Sequence, residues 1–240
     1  MKLKKLTFEQ KQTRKRILEI SYFSKFSHLG SCFSAVDLIN AVYMIKKKEE
    51  KFILSNGHAG VALYAILEKN GLVDRASVEK LYIHPDRNPR LSIDVSTGSL
   101  GHGLPIAVGM ALADRTKSVY CIISDGEISE GSIWEAFRIA SEQKLSNLKI
   151  ILNANGWGAY DPVPLGDLPN RLKAFGLQVK LVDGHNLTAL KRTLKAKVKM
   201  KPLLLFAKTT VEQLPFLKGQ DAHYFVMNDG DYKLGLELLR

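Results

Sequence analysis

The chain has 240 residues, the length of one large domain, and hydrophobic residues make up 45% of it, enough for a substantial core. No apolar run approaches the roughly 20 residues that a membrane-spanning helix needs, and no apolar stretch near Met1 predicts a secretory leader. The net charge is +11, with basic runs at Lys2–Lys5, 11–16, 46–48 and 191–201. Such runs are typical of solvated helix faces, and binding of an anionic substrate or an acidic partner is the alternative interpretation. Because no nucleic-acid motif accompanies them, the sequence predicts neither a nucleic-acid nor a membrane partner.

The first hundred residues predict mainly helices, followed by a long loop. The predicted elements are a helix over 8–26, a helix over 35–45 with Ser34 as its N-cap, a strand over 51–54, a helix over 58–69 and a short helical stretch over 76–82. Residues 83–101 are rich in Pro, Asp, Arg, Ser and Gly. A loop of this length in a compact domain is usually functional.

From residue 102 onward, helices and apolar strands alternate. The predicted helices cover 103–114, 131–143, 168–175 and 187–198, and the predicted strands cover 118–123, 148–152, 177–182 and 203–208. This alternation predicts an α/β fold, with a doubly wound, mostly parallel sheet and helices on both faces. We expect a single domain over 1–240 with an irregular C-terminal tail from about 211 to 240.

The two cysteines predict neither a disulfide framework nor a metal site. Cys121 lies inside an apolar strand, Cys32 lies in a loop-like stretch where partial exposure is expected, and the two form no CxxC motif. The sequence therefore predicts a reducing, cytoplasmic setting.

Two polar side chains follow neighbouring predicted strands. Asp125 comes just after the apolar run 119–123, and Asn155 comes just after the run 148–152. In parallel sheets, ligands bind beyond the carboxyl ends of the strands. Mg²⁺ prefers oxygen ligands, uses one or two carboxylates, and fills its other positions with water or ligand phosphates. The spacing therefore predicts a site for a metal together with a diphosphate.

A glycine-rich segment opens the predicted helix 103–114. Residues 96–103 read Ser-Thr-Gly-Ser-Leu-Gly-His-Gly. Glycines let the backbone approach a ligand closely, and a helix N-terminus offers unpaired N–H groups to anions. The segment alone is a weak signal, but beside Asp125 and Asn155 it predicts a phosphate-binding loop.

Six motifs in order resemble the N-terminal, thiamine diphosphate-binding domain of transketolase, from about residue 15 to about 210. They are His28-Leu-Gly, Leu54-Ser-Asn-Gly-His, Ser96-Thr-Gly-Ser-Leu-Gly, Asp125-Gly-Glu with Ser129-Glu-Gly, Asn155, and Val182-Asp-Gly-His. The resemblance implies the pyrophosphate-type (PP-type) thiamine diphosphate-binding fold. It also implies two cofactors, thiamine diphosphate and Mg²⁺ (or Ca²⁺).

The resemblance further implies roles for individual residues. The implied metal ligands are Asp125, Asn155 and the backbone carbonyl of Trp157. The implied cofactor contacts are His58, Gly98, Ser99, Leu100, Asp125, Gly126, Glu127 and Asn155. The implied catalytic residues are His28, His58, His84, Glu130 and His223. The histidines would exchange protons with sugar hydroxyls, and Glu130 would join a proton network that links two cofactors.

Several positions depart from the family pattern. Ser124 replaces the first glycine of Gly-Asp-Gly, and Ala154 stands where an aspartate is common. Tyr224 follows His223 where a glycine is usual. The loop 155–161 is one residue longer than the usual loop, which leaves the identity of the third metal ligand open.

Transketolases carry a second, pyrimidine-binding domain downstream, and this sequence stops short of one. The resemblance therefore implies the N-terminal subunit of a split transketolase, which moves a two-carbon ketol unit from a ketose phosphate to an aldose. We expect activity only with a C-terminal subunit, in a two-plus-two heterotetramer, with helices 103–114 and 131–143 near the interface. Two alternatives stay open: a subunit of another thiamine diphosphate-dependent synthase or decarboxylating enzyme, and a non-catalytic cofactor-binding or regulatory module.

Overall fold

A five-stranded sheet forms the centre of the computed structural model, which describes residues 6–240; the lysine run Lys2–Lys5 lies outside the described residues. The strands are β1 (Lys51–Leu54), β2 (Val119–Ser124), β3 (Leu148–Ala154), β4 (Gln178–Asp183) and β5 (Leu203–Lys208). Their spatial order is β1-β2-β3-β5-β4, and each neighbouring pair runs parallel. Because parallel strands share one direction, their carboxyl ends meet at a single edge of the sheet.

Helices cover both faces of this sheet. They are α1 (Phe8–Phe23), α2 (Leu29–Tyr43), α3 (Gly60–Lys69), α4 (Arg75–Val78), α5 (Gly103–Ala113), α6 (Gly131–Glu142), α7 (Leu168–Ala174), α8 (Leu187–Leu194), α9 (Asp221–Tyr224) and α10 (Asp229–Leu238). Between 6 and 240, none of them is long and apolar enough to cross a membrane.

The apolar strands contribute side chains to two hydrophobic cores, one on each face of the sheet. Ile122 packs with α1, α2, α3 and α8, while its neighbour Ile123 packs with α5, α6 and α7. Successive side chains of a strand point to opposite faces, so a strand covered on both sides must be apolar throughout. The predicted doubly wound α/β fold is confirmed.

The second helix begins six residues earlier than the sequence indicates. Ser34 is not its N-cap: it lies inside α2, where its hydroxyl donates to the carbonyl of Ser31 at 2.9 Å. The cap position belongs to His28, which has left-handed backbone angles (φ 63°) and donates its N–H to the carbonyl of His223 at 2.7 Å. A long-range contact thus sets the helix start. Cys32, expected to be partly exposed, is fully buried in this helix.

The segment 211–240 contains two helices, α9 and α10, where an irregular tail was expected. A capping box starts α10, because Asn228 and Asp231 each accept the other's backbone N–H at 3.0 Å. The helix packs on α1, with the rings of Tyr22 and Tyr232 stacked at 4.2 Å. This packing places the end of the described chain against α1, while α9 packs on α2.

A buried ion pair joins α1, α2 and the turn after β4. The Asp37 carboxylate accepts from Arg14 at 2.6 Å and contacts the Nδ1 atom of His185 at 2.9 Å. Burial alone would raise the pKa of Asp37, but Arg14 and His185 outweigh it and lower the pKa to about 2. His185 therefore supports the core beneath the sheet edge.

Replacing Asp37 with alanine should lower the free energy of unfolding by about 3–5 kcal/mol, because the buried Arg14 guanidinium loses its partner. Urea unfolding measures this change. The matched control is Glu135→Ala, which removes an exposed ion pair with Arg138 and should cost less than about 1 kcal/mol. Since the folded pKa of Asp37 is depressed, its contribution is present above about pH 4 and disappears as the pH falls towards 2. Equal losses in both variants would contradict the assignment.

Candidate active site

A cleft of about 390 Å³ lies beyond the carboxyl ends of β2 and β3. It is lined by residues from six segments of the chain: His28, His58, Leu100, Ser124, Gly126, Asn155, Trp157, Gly158, Ala159, His223 and Tyr224. The parallel sheet brings the loops after its strands to one edge, which is where ligands of such sheets bind. Seven of the predicted site residues are therefore brought together here.

Three histidines form one wall of the cleft. The ring centroids of His28 and His58 lie 5.4 Å apart, and those of His58 and His223 lie 6.1 Å apart. Gly30 allows this grouping, because a Cβ atom there would stand 2.6 Å from the Cβ atom of Ala222 in α9. The close approach of α2 and α9 places His223 beside His28.

Two nitrogen atoms of this wall are buried and have no hydrogen-bond partner among the described residues. They are Nδ1 of His28 and Nε2 of His223. The other ring nitrogen of His223 meets the hydroxyl of Ser31 at 2.5 Å. Buried polar atoms are nearly always satisfied, so these two orphans indicate a polar ligand in the cleft.

Burial keeps the three imidazoles neutral. It lowers the pKa of His58 to about 3, with smaller effects from His28 and His223. It lowers the pKa of His28 to about 4, again with help from neighbouring histidines, and it also lowers the pKa of His223. A neutral imidazole carries one donor and one acceptor. Near neutral pH the cluster can therefore both give and receive hydrogen bonds from hydroxyl groups.

His84 lies outside this wall. Its side chain is exposed, and its ring centroid is 6.3 Å from that of His28. It stands against Gly98. The backbone angle φ of Gly98 is +147°, which suits only glycine, and a Cβ atom at this position would also lie 3.0 Å from the His84 ring. Ser99 is also exposed. Of the glycine loop, Leu100 lines the cleft, while Gly98 and Ser99 do not.

Asp125 is fully buried under the cleft floor. Its carboxylate accepts N–H groups from Gly156 at 2.6 Å and from Gly126 at 3.1 Å. Burial nevertheless raises its pKa to about 7, against the opposing effect of these backbone donors. The negative charge is thus incompletely balanced by the protein, and a cation at this position would balance it.

Asn155 and Trp157 stand on the loop that Asp125 holds. The side-chain oxygen of Asn155 accepts the N–H of Trp157 at 2.9 Å, and the Trp157 indole packs on Gly219. Residues 6–240 contain no group of three or more His, Cys, Asp or Glu side chains able to hold a metal. The predicted oxygen ligands Asp125, Asn155 and Trp157 all follow the carboxyl ends of β2 and β3. Mg²⁺ needs only one or two carboxylates when ligand phosphates complete its shell.

The two predicted glutamates lie apart from the histidine wall. The carboxylate of Glu127 is fully buried behind the cleft and is bound by Ser55, Gly101 and Ser124. Its placement does not support the predicted direct contact with a cofactor. Glu130 is half-buried in a neighbouring cleft, which also contains Tyr160.

Tyr224 is a cleft residue to which sequence reasoning assigned no role, although it stood out as a departure from the family pattern. Its hydroxyl donates to the carbonyl of Ala159 at 2.8 Å, and the Gln220 side chain donates to the same carbonyl at 2.9 Å. Its ring centroid lies 5.8 Å from that of His28. Tyr224 thereby joins α9 to the loop that follows β3.

Residues 28–231 match the family model described as transketolase, thiamine diphosphate binding domain. Human transketolase-like protein 2 is 38% identical over 208 residues, which cover 75% of this chain and 33% of that protein. The chain thus spans about a third of the length of such relatives. One subunit of the apulose-4-phosphate transketolase from Phocaeicola vulgatus is 31% identical over 237 residues, covering 88% of this chain and 84% of that polypeptide.

The fold comparison agrees with the sequence comparison. The crystal structure of transketolase from Campylobacter jejuni superposes with a TM-score of 0.85 at 25% identity, over 97% of this chain and 42% of that one. Transketolase from Leishmania mexicana, at 22% identity, superposes with the same TM-score of 0.85. Together with the family match over residues 28–231, this shows that the chain belongs to the transketolase family, within its thiamine diphosphate-binding domain.

Proposed function

We propose that this chain is the N-terminal subunit of a split transketolase. In this proposal it holds the diphosphate end of thiamine diphosphate together with Mg²⁺ (or Ca²⁺), and it serves the transfer of a two-carbon ketol unit from a ketose phosphate to an aldose. The observation that carries the proposal is the buried, incompletely balanced carboxylate of Asp125 beneath a wall of neutral histidines. The carboxylate suits a metal ion with a diphosphate, and the neutral histidines suit a polyhydroxylated substrate.

The cation would be bound by Asp125, Asn155 and the carbonyl of Trp157, and the backbone N–H of Gly126 would face the diphosphate. When bound, thiamine diphosphate supplies the electron sink that ketol transfer requires. The chain's own contribution is charge compensation, orientation and exclusion of water. Asp125 is buried, and its carboxylate holds the loop after β3 in place before any ligand arrives.

The histidine wall would handle protons at the substrate hydroxyls. Nδ1 of His28 and Nε2 of His223, which are buried and have no hydrogen-bond partner among the described residues, are the positions that we assign to a ligand, although His223 also interacts with the Trp157 backbone. A neutral imidazole can accept a hydroxyl proton as the adjacent carbon–carbon bond breaks, and it can return the proton when the new bond forms. His84 at the rim would meet the substrate farther from the reacting carbon, and Glu130 would face the partner chain.

The proposed partner is a C-terminal subunit that carries the pyrimidine-binding domain, in a two-plus-two heterotetramer. The extensive match to a protein named as one subunit of a transketolase supports the existence of a partner subunit. Helix α5 supports it as well: Ile106 and Leu112 are partly exposed, and nothing lies within 4 Å of a Cβ added at Gly109. Small and apolar residues on an open helix face suit close packing against another helix.

Asp125→Ala should reduce metal-dependent binding of thiamine diphosphate at least about 100-fold, because a hard cation loses its only carboxylate ligand. Isothermal titration calorimetry of Mg²⁺ and thiamine diphosphate into the reconstituted two-chain enzyme measures this. The matched control is Asp161→Ala, an exposed carboxylate on the same loop, which should bind normally. Unchanged affinity in a folded Asp125→Ala protein would show that the metal assignment is wrong.

The purified chain alone should show no ketol transfer at micromolar concentration, and adding a C-terminal transketolase subunit should restore it. The reason is that the resemblance assigns the pyrimidine-ring site to the second chain. The assay follows consumption of a ketose phosphate with an aldose acceptor, with and without the second subunit. Turnover by the single chain would contradict the split-enzyme proposal.

A further inference from the structure

Glu127 uses its whole acceptor capacity inside the protein. Its Oε1 atom accepts from the Ser55 hydroxyl at 2.5 Å and from the Gly101 N–H at 3.0 Å. Its Oε2 atom accepts from the Ser124 N–H at 2.9 Å and from the Ser124 hydroxyl at 3.3 Å. An ionised carboxylate offers about four lone-pair positions, so none is left for a ligand.

These four bonds join three segments that are distant in the chain. Ser55 begins the turn that leads to His58, Gly101 lies in the glycine loop, and Ser124 ends β2. Ser55 extends the network, since its hydroxyl also accepts the N–H of Gly103 at 3.1 Å. The contact is tight: a Cβ at Gly103 would stand 2.5 Å from the Cβ of Ser55. The network therefore joins three of the six segments that line the cleft.

We propose that Glu127 is a positioning residue, whose carboxylate ties the 55–58 turn and the 96–103 loop to the end of β2 and so shapes the cleft before a ligand binds. The proposal concerns the chain without a ligand. It rests on the proposed function only for the identity of the ligand that binds in the cleft. Through this tie, His58, Leu100 and Asp125 keep their places at one site.

Glutamine cannot replace this carboxylate. Each oxygen of Glu127 accepts one backbone N–H, from Gly101 on one side and from Ser124 on the other. A hydroxyl can rotate to suit a new partner, whereas a backbone N–H cannot. Either orientation of a glutamine amide would therefore point its NH₂ group at a backbone N–H and leave that donor unsatisfied.

The test is hydrogen–deuterium exchange of the 240-residue chain without ligand, read by mass spectrometry. In Glu127→Gln, the amides of segment 100–104 should exchange at least about tenfold faster, while the amides of β3 and β5 keep their wild-type rates. The matched control is Glu135→Gln on the exposed face of α6, which should leave both regions unchanged. Unchanged exchange at 100–104 in a folded Glu127→Gln protein would overturn the proposal.

A milder variant covers the case in which Glu127→Gln does not fold. Ser55→Ala removes one donor to Glu127 and the acceptor of the Gly103 N–H, and it should accelerate the same segment alone. Faster exchange throughout β3 and β5 would instead show a general core role and would overturn the proposal.

A second experiment distinguishes a failure of this proposal from a failure of the proposed function. Mg²⁺ and thiamine diphosphate are added to the wild-type complex with its partner. A lack of protection there would count against the cofactor, and it would leave the exchange result for Glu127 standing.

Discussion

The unbalanced charge of one buried carboxylate is the constraint on which the site depends. Asp125 sits at the end of a strand whose side chains are buried on both faces, so water does not reach it. Two backbone N–H groups offset only part of the desolvation cost, and the pKa of the carboxyl rises to about 7. A fold gains nothing in stability from such a group. The cation proposed above would explain its presence, and Asp125 itself holds the loop that carries Asn155 and Trp157.

The second requirement is the close approach of α9 to α2. The histidine wall consists of residues from both ends of the described chain, and it forms only because Gly30 leaves room for Ala222. The N–H of His28 then bonds the carbonyl of His223, which fixes the left-handed backbone at the start of α2. The contact between α2 and α9 therefore sets the start of α2, forms the cleft wall and positions α9 at the same time. The capping box and aromatic stacking of α10 stabilise it from outside the site.

The sequence predicted the sheet and its polar edge well, because both follow from local patterns with a strict geometric consequence. Apolar runs alternating with helices give parallel strands, and Asp125 and Asn155 had to meet where β2 and β3 end. Helix α10 was missed although the capping box of Asn228 and Asp231 is a local signal of its start. The start of α2 was missed because the long-range bond between His28 and His223 determines it. Local propensity carries no information on such contacts.

The contrast between Asp125 and Glu127 shows why motif resemblance alone does not separate their roles. The two carboxylates stand two residues apart in the same motif, and both are buried. Glu127 has a rigid donor for each oxygen and two hydroxyls besides, although burial still raises the pKa of its carboxyl. Ser124, which replaces the first glycine of the family's Gly-Asp-Gly, supplies two of those donors. Asp125 has only backbone donors and keeps an excess of charge. Hydrogen-bond satisfaction, which a sequence does not display, therefore separates the residue that we propose shapes the cleft from the residue that we propose binds a cation.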